Sequence, residues 1–389
     1  MTGSIAAYKA CEIASRLVEY GAKVTPVLTS SACELVGPAT FEGITGRRAI
    51  TRMFEPHQNP EIEHIAVATR AHLYLIAPAT ANFIAKAAHG MADDWLTTTL
   101  LATRAPVLIA PAMNTNMYEH PATQENIQTL KRRGCHFVGP ESGRLACRTV
   151  GPGRLIDPMA VIEAAAPLAS DRKDLKGRRV IITSGGTQEA IDPVRYIGNR
   201  SSGKMGRALA VEALARGADV TVITAPADTR LPHGALVLPV ESAAQMAESC
   251  VNLAQDADIF IAAAAVADYR CENPSDSKRK KSGKSIELTL VENPDVLGLV
   301  GALKRNGQVI VGFAAETDDL IKNAHEKLKK KHLDLIVANE VNTPDSGFGK
   351  ETTKAALIRR DGHLFELPLL SKDDLAEKIF DQIVSLIPV

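Results

Sequence analysis

RRVIIT at residues 178–183 is a short run of apolar residues that leads into the glycine-rich turn SGGT. A helical pattern follows from about Lys204 to Ala215, and a second apolar run, DVTVIT, occupies residues 219–224. Runs of this length bounded by Gly, Ser or Thr predict buried strands, because buried helices need more residues. The strand–helix–strand order predicts parallel strands with helices on both faces of the sheet. Such sheets bind ligands at the carboxyl ends of their strands.

The same alternation extends through most of the chain. Further strands are predicted at 23–29, 72–77, 105–110, 259–266, 308–315 and 333–339. Helical patterns lie between them, for example at 121–133. Near the C-terminus, Asp361-Gly362 separates two extended runs within 355–368, which predicts a hairpin. Ser371 is then expected to cap a terminal helix.

A polar segment, SDRKDLKG at residues 170–177, interrupts the alternation. Because a domain usually has about 150 residues, a chain of 389 residues predicts two domains. We expect doubly wound α/β domains at residues 1–169 and 178–389, joined by a linker at 170–177. The first domain starts at Thr2 in a turn into a helix, whereas a parallel sheet normally has a strand before such a turn. We therefore expect a domain without its first strand.

The composition excludes several classes of protein. Apolar residues make up 45% and charged residues 23% of the chain, which is typical of globular proteins and excludes disorder. Lys+Arg and Asp+Glu both number 45, and proteins that bind nucleic acid are usually basic, so nucleic acid is not an expected partner. The apolar runs are interrupted by charges, at the N-terminus by Lys9 and Glu12, so neither a membrane span nor a signal peptide is expected. Six cysteines without C-x-x-C spacing indicate free thiols in the cytoplasm.

Two glycine-rich turns, at residues 3–4 and 185–186, are each expected to open a helix. Backbone N–H groups at a helix N-terminus bind phosphate, and glycine lets the anion approach. Either turn alone could equally be a plain tight turn, but two of them favour two nucleotide-type ligands. The stretch GNRSSGK at 198–204 resembles a P-loop, except that Met205 stands where Ser or Thr would bind magnesium.

Three residues of the first domain are candidates for chemistry. APAMNTNMY follows a predicted strand, which places Asn114 at its carboxyl end, where an amide can donate to a carboxylate; the alternative is a simple turn former. In the loop GRLACRTVGPGR, Cys147 is flanked by Arg148 and has two further arginines nearby. If these guanidiniums converge on the thiol, they would lower the pKa of Cys147, as in a catalytic thiol. The alternative is that Cys147 is a small apolar residue of a surface loop. His64 is either an acid–base group or structural.

The second domain has a cluster of cations after a strand end. KRKKSGK at 278–284 follows the predicted strand end at Asp268. Such a run is either a solvated surface or a loop that closes over phosphates during phosphoryl or nucleotidyl transfer. Lys327 and Lys331 lie four residues apart on one predicted helix face and could add phosphate contacts or be solvated.

These segments together resemble two enzyme families. GSIAAYK, the HI at 64–65, APATAN, PAMN-x-x-MY and G-x-L-A-C followed by GPGR resemble flavin-dependent cysteine decarboxylases. DPVRYI-x-N-x-SSGKMG, AAVADYR, the lysine-rich loop, ENPDV, GFAAET and VAN resemble phosphopantothenate–cysteine ligases. In this order they resemble the bacterial bifunctional enzymes of coenzyme A synthesis, over nearly the whole chain.

The resemblance implies a flavodoxin-like N-terminal domain that binds FMN. FMN would oxidise the cysteinyl thiol of 4'-phospho-N-pantothenoylcysteine to a thioaldehyde, so that CO2 can leave, and would then return the electrons. His64 matches the acid–base residue, Asn114 the residue that holds the substrate carboxylate, and Cys147 the proton donor of this family. The FMN-binding positions implied are Gly3, Ser4 and Ser30.

The resemblance also implies a Rossmann-like ligase domain that uses CTP and Mg2+. It would convert 4'-phosphopantothenate to an acyl-cytidylate, from which the amine of cysteine displaces CMP. Asn199 matches the residue that holds the acyl group, and Lys278 matches the loop lysine that stabilises developing charge. The implied nucleotide positions are Ala262, Asp268, Lys278, Asn293, Pro294, Asp295, Val296, Phe313, Lys327 and Lys331. A homo-oligomer with sites between subunits is expected, and no residue is assigned to the metal.

Two departures from the family pattern leave an alternative open. The family usually has glycine where Arg148 stands, and glycine readily takes a positive φ. An extra cation beside Cys147 would also lower its pKa. Together with the expected lack of a first strand, this permits an alternative in which only the ligase half is active. The N-terminal half would then be a flavin-poor oligomerisation scaffold or a regulatory module.

Overall fold

The chain forms two compact units. The computed structural model describes residues 1–53, 63–280, 286–316, 320–340, 350 and 352–387. Contacts within the chain separate unit 1, Met1–Asp171, from unit 2, Arg172–Val389. In the described parts of both units, every helix is too short or too polar to cross a membrane.

Unit 1 alternates helices with short strands. Its helices are α1 (Ala7–Glu19), α2 (Ser30–Cys33), α3 (Pro38–Thr45), α4 (Glu63–Arg70), α5 (Ala81–His89), α6 (Trp95–Ala102), α7 (Thr115–Glu119), α8 (Pro121–Arg132) and α9 (Pro158–Ala169). Its strands are β1 (Tyr74–Ala79), β2 (Val107–Pro111), β3 (His136–Phe137), β4 (Glu141–Arg144) and β5 (Val150–Arg154). Strands β1, β2 and β3 form a parallel sheet in that order, and β4 and β5 form an antiparallel hairpin.

The core of unit 1 lies on both faces of its parallel sheet. Leu108 of β2 packs in a cluster with Ile13 of α1 and Val161 of α9. Its neighbour Ile109 packs in a second cluster with Ile84 of α5 and other apolar side chains. Successive side chains of a strand point to opposite faces, so helices cover both faces, as in a doubly wound fold.

The prediction of a strand at residues 23–29 is wrong. The segment forms only a single parallel bridge, between Val27 and Ile50. Pro26 has no N–H to contribute to a ladder, which limits pairing along this run. Residues 1 and 2 lie beside it, since the N–H of Thr29 donates to the carbonyl of Met1 at 3.2 Å. The first strand of the sheet along the chain is β1, so the turn at residue 3 leads into α1 without a sheet strand before it.

Unit 2 is built around a larger sheet. Its helices are α10 (Lys204–Ala215), α11 (Ala243–Ala254), α12 (Val296–Ala302), α13 (Leu320–Lys330) and α14 (Lys372–Leu386). Its strands are β6 (Arg179–Ser184), β7 (Gln188–Asp192), β8 (Arg195–Gly198), β9 (Asp219–Thr224), β10 (Leu236–Pro239), β11 (Ile259–Ala262), β12 (Tyr269–Cys271), β13 (Leu290–Glu292), β14 (Val309–Glu316), β15 (Leu335–Glu340), β16 (Thr352–Thr353), β17 (Ala355–Arg359), β18 (Leu364–Glu366) and β19 (Leu370–Ser371).

The strand order of unit 2 confirms the predicted doubly wound fold. The eight-stranded sheet runs β10-β9-β6-β11-β14-β15-β17-β18. The first six strands are parallel, and β17 and β18 are antiparallel additions. Because the chain winds outward from β6 in both directions, the order reverses between β6 and β11, where such sheets bind ligands. Ile182 of β6 packs with Leu209 and Phe380 on one face, and Ile181 packs on the other.

Local predictions for the C-terminal part are confirmed. Strands β17 and β18 form the expected antiparallel hairpin around Asp361-Gly362. Ser371 caps α14, since its Oγ accepts a hydrogen bond of 3.0 Å from the N–H of Asp374. The strand predicted at 259–266 is present but ends at Ala262.

The prediction that the turn at 185–186 opens a helix is wrong. Strand β6 continues through this turn into the β7–β8 hairpin, and the helix begins only at Lys204. Gly186 forms a parallel bridge with Ala265, so the turn is held beside the segment after β11. A Cβ on Gly186 would lie 2.8 Å from the carbonyl oxygen of Asn199, which explains why glycine stands here.

The polar segment at 170–177 contains residues that pack on unit 2. Leu175 is fully buried, and its N–H donates to the carbonyl of Arg216 at 3.2 Å. The guanidinium of Arg216 is itself buried and binds carboxylates of Asp174, Glu212 and Asp381 at 3.3, 2.6 and 2.7 Å. These contacts fix the start of unit 2 to α10 and α14.

Candidate active sites

The carboxyl ends of β1 and β2 lie beside the first turn of the chain. The hydroxyl of Thr2 donates to the carbonyl of Pro78 at 2.9 Å and accepts from the N–H of Thr80 at 3.0 Å. The N–H of Ala112, after β2, donates to the carbonyl of Ala79 at 2.9 Å. The turn and the two strand ends therefore form one continuous edge, where parallel sheets carry their sites.

The predicted FMN positions Gly3, Ser4 and Ser30 lie together at this edge. A Cβ on Gly3 would be only 2.5 Å from the Cβ of Ser31, so the turn passes the start of α2 more closely than any other residue would allow. Ser30 and Ser31 are exposed, and Thr29 caps their helix. The exposed hydroxyls of Ser30 and Ser31, next to the turn at Gly3 that leads into the 13-residue helix α1, fit a phosphate group. The residues present therefore fit the phosphate of FMN.

Asn114 and Cys147 are in contact. Asn114 precedes α7, and its Oδ1 accepts from the N–H of Asn116 at 2.9 Å, which orients the side-chain amide. Its Nδ2 donates to the Sγ of Cys147 at 3.3 Å. The Sγ also lies 3.1 Å from the Oγ1 of Thr149. An amide and a hydroxyl thus approach one exposed thiol, the amide from a residue 33 positions away in the sequence and the hydroxyl from within the same turn.

Cys147 lies at the tip of the β4–β5 hairpin. The N–H of Arg148 donates to the carbonyl of Leu145 at 2.9 Å, and the N–H of Leu145 donates to the carbonyl of Thr149 at 2.9 Å. Arg148 has φ +69°, in the left-handed region that favours glycine. The turn is therefore formed with arginine at a position where glycine was expected, at a cost of about 1–2 kcal/mol in backbone strain.

Neutral hydrogen-bond donors lower the pKa of Cys147. The hydroxyl of Thr149 contributes most, followed by the N–H of Thr149 and the amide of Asn114. These groups stabilise the thiolate over the thiol. The direction of this shift agrees with the expectation, but its causes in the structure are these hydrogen bonds and not the guanidiniums that the sequence suggested.

His64 lies near the start of α4 and is half-buried. In the described residues no hydrogen bond joins it to Asn114 or Cys147. The structure thus brings two of the three predicted decarboxylase residues together.

In unit 2, Asn199 lies beside the segment that carries Asp268. The Nδ2 of Asn199 donates to the carbonyl of Val266 at 2.9 Å. The N–H of Ala267 donates to the hydroxyl of Thr187 at 2.9 Å, which fixes this segment to the turn after β6. Both predicted residues are exposed at the carboxyl edge of the sheet, next to its switch point.

Asn293 connects the Asp268 segment to α12. Its N–H donates to the carbonyl of Asp268 at 2.8 Å, and its Nδ2 donates to the carbonyl of Ala267 at 2.9 Å. Pro294 follows it and is half-buried. Val296, by contrast, is buried in the apolar core, so its side chain is turned away from this edge.

The two predicted lysines, Lys327 in α13 and Lys331 directly after it, contact this region. The Nζ of Lys331 lies 2.8 Å from the Oδ1 of Asp295, which also caps α12 by accepting from the N–H of Gly298 at 3.0 Å. Burial opposes ionisation of Asp295, but Lys331 and the Gly298 N–H hold its pKa below the ordinary value. The Nζ of Lys327 donates to the carbonyl of Phe313 at 3.0 Å, within the C-terminal half of β14.

The remaining predicted nucleotide positions are Ala262 and Lys278. Ala262 ends β11 and pairs with Gly312 of β14, one residue before Phe313. Lys278 is exposed, and residues 281–284 of its basic run lie outside the described residues. Over the described ranges, no group of three or more His, Cys, Asp or Glu side chains is arranged to hold a metal ion.

Two residues that contact these sites are not among those predicted from the sequence. Thr149 contacts the Sγ of Cys147. The sequence signal for this contact is the C-x-T spacing, which brings the two side chains together at the tip of a hairpin. Asp192 ends β7 and accepts hydrogen bonds of 2.9 Å from the N–H groups of Val194 and Arg195. Its signal was Asp followed by Pro, a pair typical of turns in which the carboxylate accepts from the following backbone.

Comparison with known proteins identifies the family. Residues 1–169 match the family model "Flavoprotein", and residues 175–387 match "DNA/pantothenate metabolism flavoprotein C-terminal domain". The chain is 45% identical over 390 residues to the coenzyme A biosynthesis bifunctional protein CoaBC of Bacillus subtilis (strain 168), covering 99% of this chain and 96% of that protein. It is 46% identical over 381 residues to CoaBC of Vibrio cholerae, covering 97% and 95%. A crystal structure of the C-terminal domain of a CoaBC protein aligns at 36% identity and a TM-score of 0.48, covering 55% of this chain and 97% of that one. The chain therefore belongs to the CoaBC family of bifunctional decarboxylase–ligase enzymes of coenzyme A biosynthesis.

Proposed function

We propose that residues 178–389 join cysteine to 4'-phosphopantothenate with CTP and Mg2+. Residues 1–169 then decarboxylate the product, 4'-phospho-N-pantothenoylcysteine, to 4'-phosphopantetheine with FMN. The observation that carries the proposal is the contact of 3.3 Å between Asn114 and Cys147, two residues far apart in sequence that the decarboxylation requires together.

In the decarboxylation, FMN bound at Gly3, Ser4 and Ser30 would accept two electrons from the substrate and return them after CO2 has left. The amide of Asn114 donates to the substrate carboxylate and orients it without adding a charge. The thiol of Cys147 donates the proton that completes the product. A proton donor works best when its pKa is close to the operating pH, and the lowered pKa of Cys147 moves it in that direction.

His64 supplies the acid–base group of this reaction. Within one chain no hydrogen bond of the described residues links it to Asn114 or Cys147. The proposal includes a homo-oligomer with sites between subunits, as the resemblance to this family implies. The cytoplasm is its compartment, because Cys147 must remain a free thiol to donate its proton.

In the ligation, a carboxylate oxygen of 4'-phosphopantothenate attacks the α-phosphorus of CTP, and pyrophosphate leaves. The amine of cysteine then attacks the acyl carbon, and CMP leaves. Asn199 holds the acyl group, and Lys278 stabilises the negative charge that develops at phosphorus. Ala262, Asp268, the segment Asn293–Val296, Phe313, Lys327 and Lys331 form the nucleotide site. Mg2+ would be held mainly by the triphosphate, as is usual for this ion.

The alternative in which only the ligase half is active is not favoured. Relatives match both halves of the chain, and the hairpin that carries Cys147 is formed although Arg148 replaces glycine. A scaffold would not require a thiol held by two polar side chains.

A coupled assay on one sample of the full chain tests the proposal. We expect flavin absorbance bands, pyrophosphate release from CTP, 4'-phosphopantothenate and cysteine, and CO2 release from 4'-phospho-N-pantothenoylcysteine. Colourless protein that releases pyrophosphate and no CO2 would support the ligase-only alternative. If no nucleotide yields pyrophosphate, the ligase assignment is refuted.

A further inference from the structure

We propose that Asp192 is a positioning residue of the ligation reaction, which fixes Lys278 through the peptide bond between Lys278 and Arg279. The inference rests on the proposed function, because that function gives Lys278 its role. Asp192 itself does not touch the nucleotide or the acyl substrate in this proposal.

The carboxylate of Asp192 is fully buried and accepts four hydrogen bonds. Its Oδ1 accepts from the N–H groups of Val194 and Arg195, both at 2.9 Å. Its Oδ2 accepts from the Nη1 of Arg195 at 2.7 Å and from the N–H of Arg279 at 3.2 Å. The side chain has 0% exposure, so these donors replace water completely.

The last of these bonds reaches the segment that carries Lys278. The N–H of Arg279 belongs to the peptide unit whose carbonyl is that of Lys278, so the bond to Asp192 restricts ψ of Lys278. The Nη1 of Arg195 also donates to the carbonyl of Arg279 at 3.1 Å. Both backbone polar groups of Arg279 are therefore held, and Lys278 projects from a fixed peptide plane although its own side chain is exposed.

The same carboxylate lies on the hairpin that leads to Asn199. Asp192 ends β7, and β8 runs from Arg195 to Gly198, directly before Asn199. A second bond joins the same segments, since the N–H of Ser275 donates to the carbonyl of Ile191 at 2.9 Å. Asp192 thus connects the backbone that carries the acyl-binding amide to the backbone that carries the loop lysine.

Asparagine cannot replace this carboxylate. Burial opposes ionisation of Asp192, but the N–H groups of Val194, Arg279 and Arg195 hold its pKa below the ordinary value. Asp192→Asn turns one oxygen into an NH2 group. Whichever way the amide is oriented, its NH2 group faces two hydrogen-bond donors of the protein. Those donors then have no acceptor, which is unfavourable in a buried site.

The test compares Asp192→Asn with Asp256→Asn in the full chain. Asp256 precedes β11 at the opposite edge of the sheet, and its carboxylate is 73% exposed. Ligation is followed as pyrophosphate release, and decarboxylation of added 4'-phospho-N-pantothenoylcysteine is the internal control. We expect Asp192→Asn to lower kcat of ligation by about 10- to 100-fold, as for a displaced catalytic group, with KM for CTP and decarboxylation unchanged. Asp256→Asn should match the wild type.

A double-mutant cycle with Lys278→Gln distinguishes positioning from general destabilisation. If Asp192 acts through Lys278, adding Asp192→Asn to Lys278→Gln should change kcat by less than about twofold. A full additional loss in the double variant, or wild-type kcat in Asp192→Asn, would overturn the proposal.

Hydrogen exchange of the Arg279 amide tests the same contact without nucleotide. We expect faster exchange in Asp192→Asn than in the wild type, and equal rates would overturn the proposal. If the wild type releases no pyrophosphate, the proposed function fails, while the exchange rates still decide whether Asp192 holds this peptide.

Discussion

Replacing Gly153 by alanine tests whether the β4–β5 hairpin holds Cys147 against Asn114. Gly153 has φ +132°, a conformation that costs other residues about 1–3 kcal/mol. A Cβ at this position would lie 2.3 Å from the carbonyl oxygen of Met113, whereas ordinary contact begins at 3.4 Å. The obstructing atom is backbone, so the two segments must separate by roughly 1 Å to admit the methyl group.

The separation acts directly on the candidate site. The N–H of Met113 donates to the carbonyl of Gly153 at 2.9 Å, and Asn114 follows Met113. A displacement of about 1 Å at a catalytic group can lower a rate by about 100-fold. We therefore expect Gly153→Ala to lower the decarboxylation rate by about 10- to 100-fold.

The assay measures CO2 release from 4'-phospho-N-pantothenoylcysteine, with the flavin spectrum, thermal unfolding and ligation recorded on the same sample. Gly143→Ala is the matched control on the same hairpin, because its Cβ would meet only the movable side chain of Arg154, at 3.4 Å. Decarboxylation by Gly153→Ala within about twofold of the wild type would show that the hairpin does not position Cys147.

Three further substitutions test other parts of the structure. Thr149→Ala removes the hydroxyl 3.1 Å from the Sγ of Cys147. Since that donor stabilises the thiolate, its loss should raise the pKa of Cys147 and shift alkylation by iodoacetamide to higher pH. Thr149→Ser, which keeps the hydroxyl, is the control. An unshifted pH profile in Thr149→Ala would contradict the assignment. Asn199→Asp removes the amide donor to the carbonyl of Val266 at 2.9 Å. Ligation should fall by about 10- to 100-fold while decarboxylation is spared, and wild-type ligation would refute the role. Arg216→Met removes the buried cation from three partly exposed carboxylates, two of which still pair with Arg172. Urea unfolding should show unit 2 destabilised by about 1–3 kcal/mol, and an unchanged midpoint would argue against the cluster.

The sequence was sufficient to predict the elements that depend on local patterns. The runs at 178–183 and 219–224 are β6 and β9, and the helix expected from Lys204 to Ala215 is α10 with the same bounds. Their apolar runs and flanking turn residues are local properties that can be read without knowledge of the fold. The same holds for the cap at Ser371, which depends on a residue three positions away.

Features that depend on distant contacts were not predictable in this way. The segment at 23–29 has a strand-like composition, but a strand needs a continuous partner, and this segment forms one bridge, between Val27 and Ile50. The turn at 185–186 has the composition of a helix start, yet its close approach to Asn199 directs the chain into a hairpin. Asp192 was overlooked for the same reason, since its bond to Arg279 spans 87 residues.

The ionisation of Cys147 distinguishes two physical explanations of its lowered pKa. If exposed guanidiniums such as that of Arg148 were responsible, the effect would be screened, because the Debye length falls from about 10 Å at 0.1 M salt to about 3 Å at 1 M. Hydrogen bonds from Thr149 and Asn114, at 3.1 and 3.3 Å from the Sγ, are direct contacts that salt does not screen in this way. The pH midpoint of Cys147 alkylation should therefore stay in place between about 0.1 M and 1 M NaCl. A midpoint that moves to higher pH as salt is added would show that the guanidiniums lower the pKa after all, and would restore the explanation that the sequence first suggested.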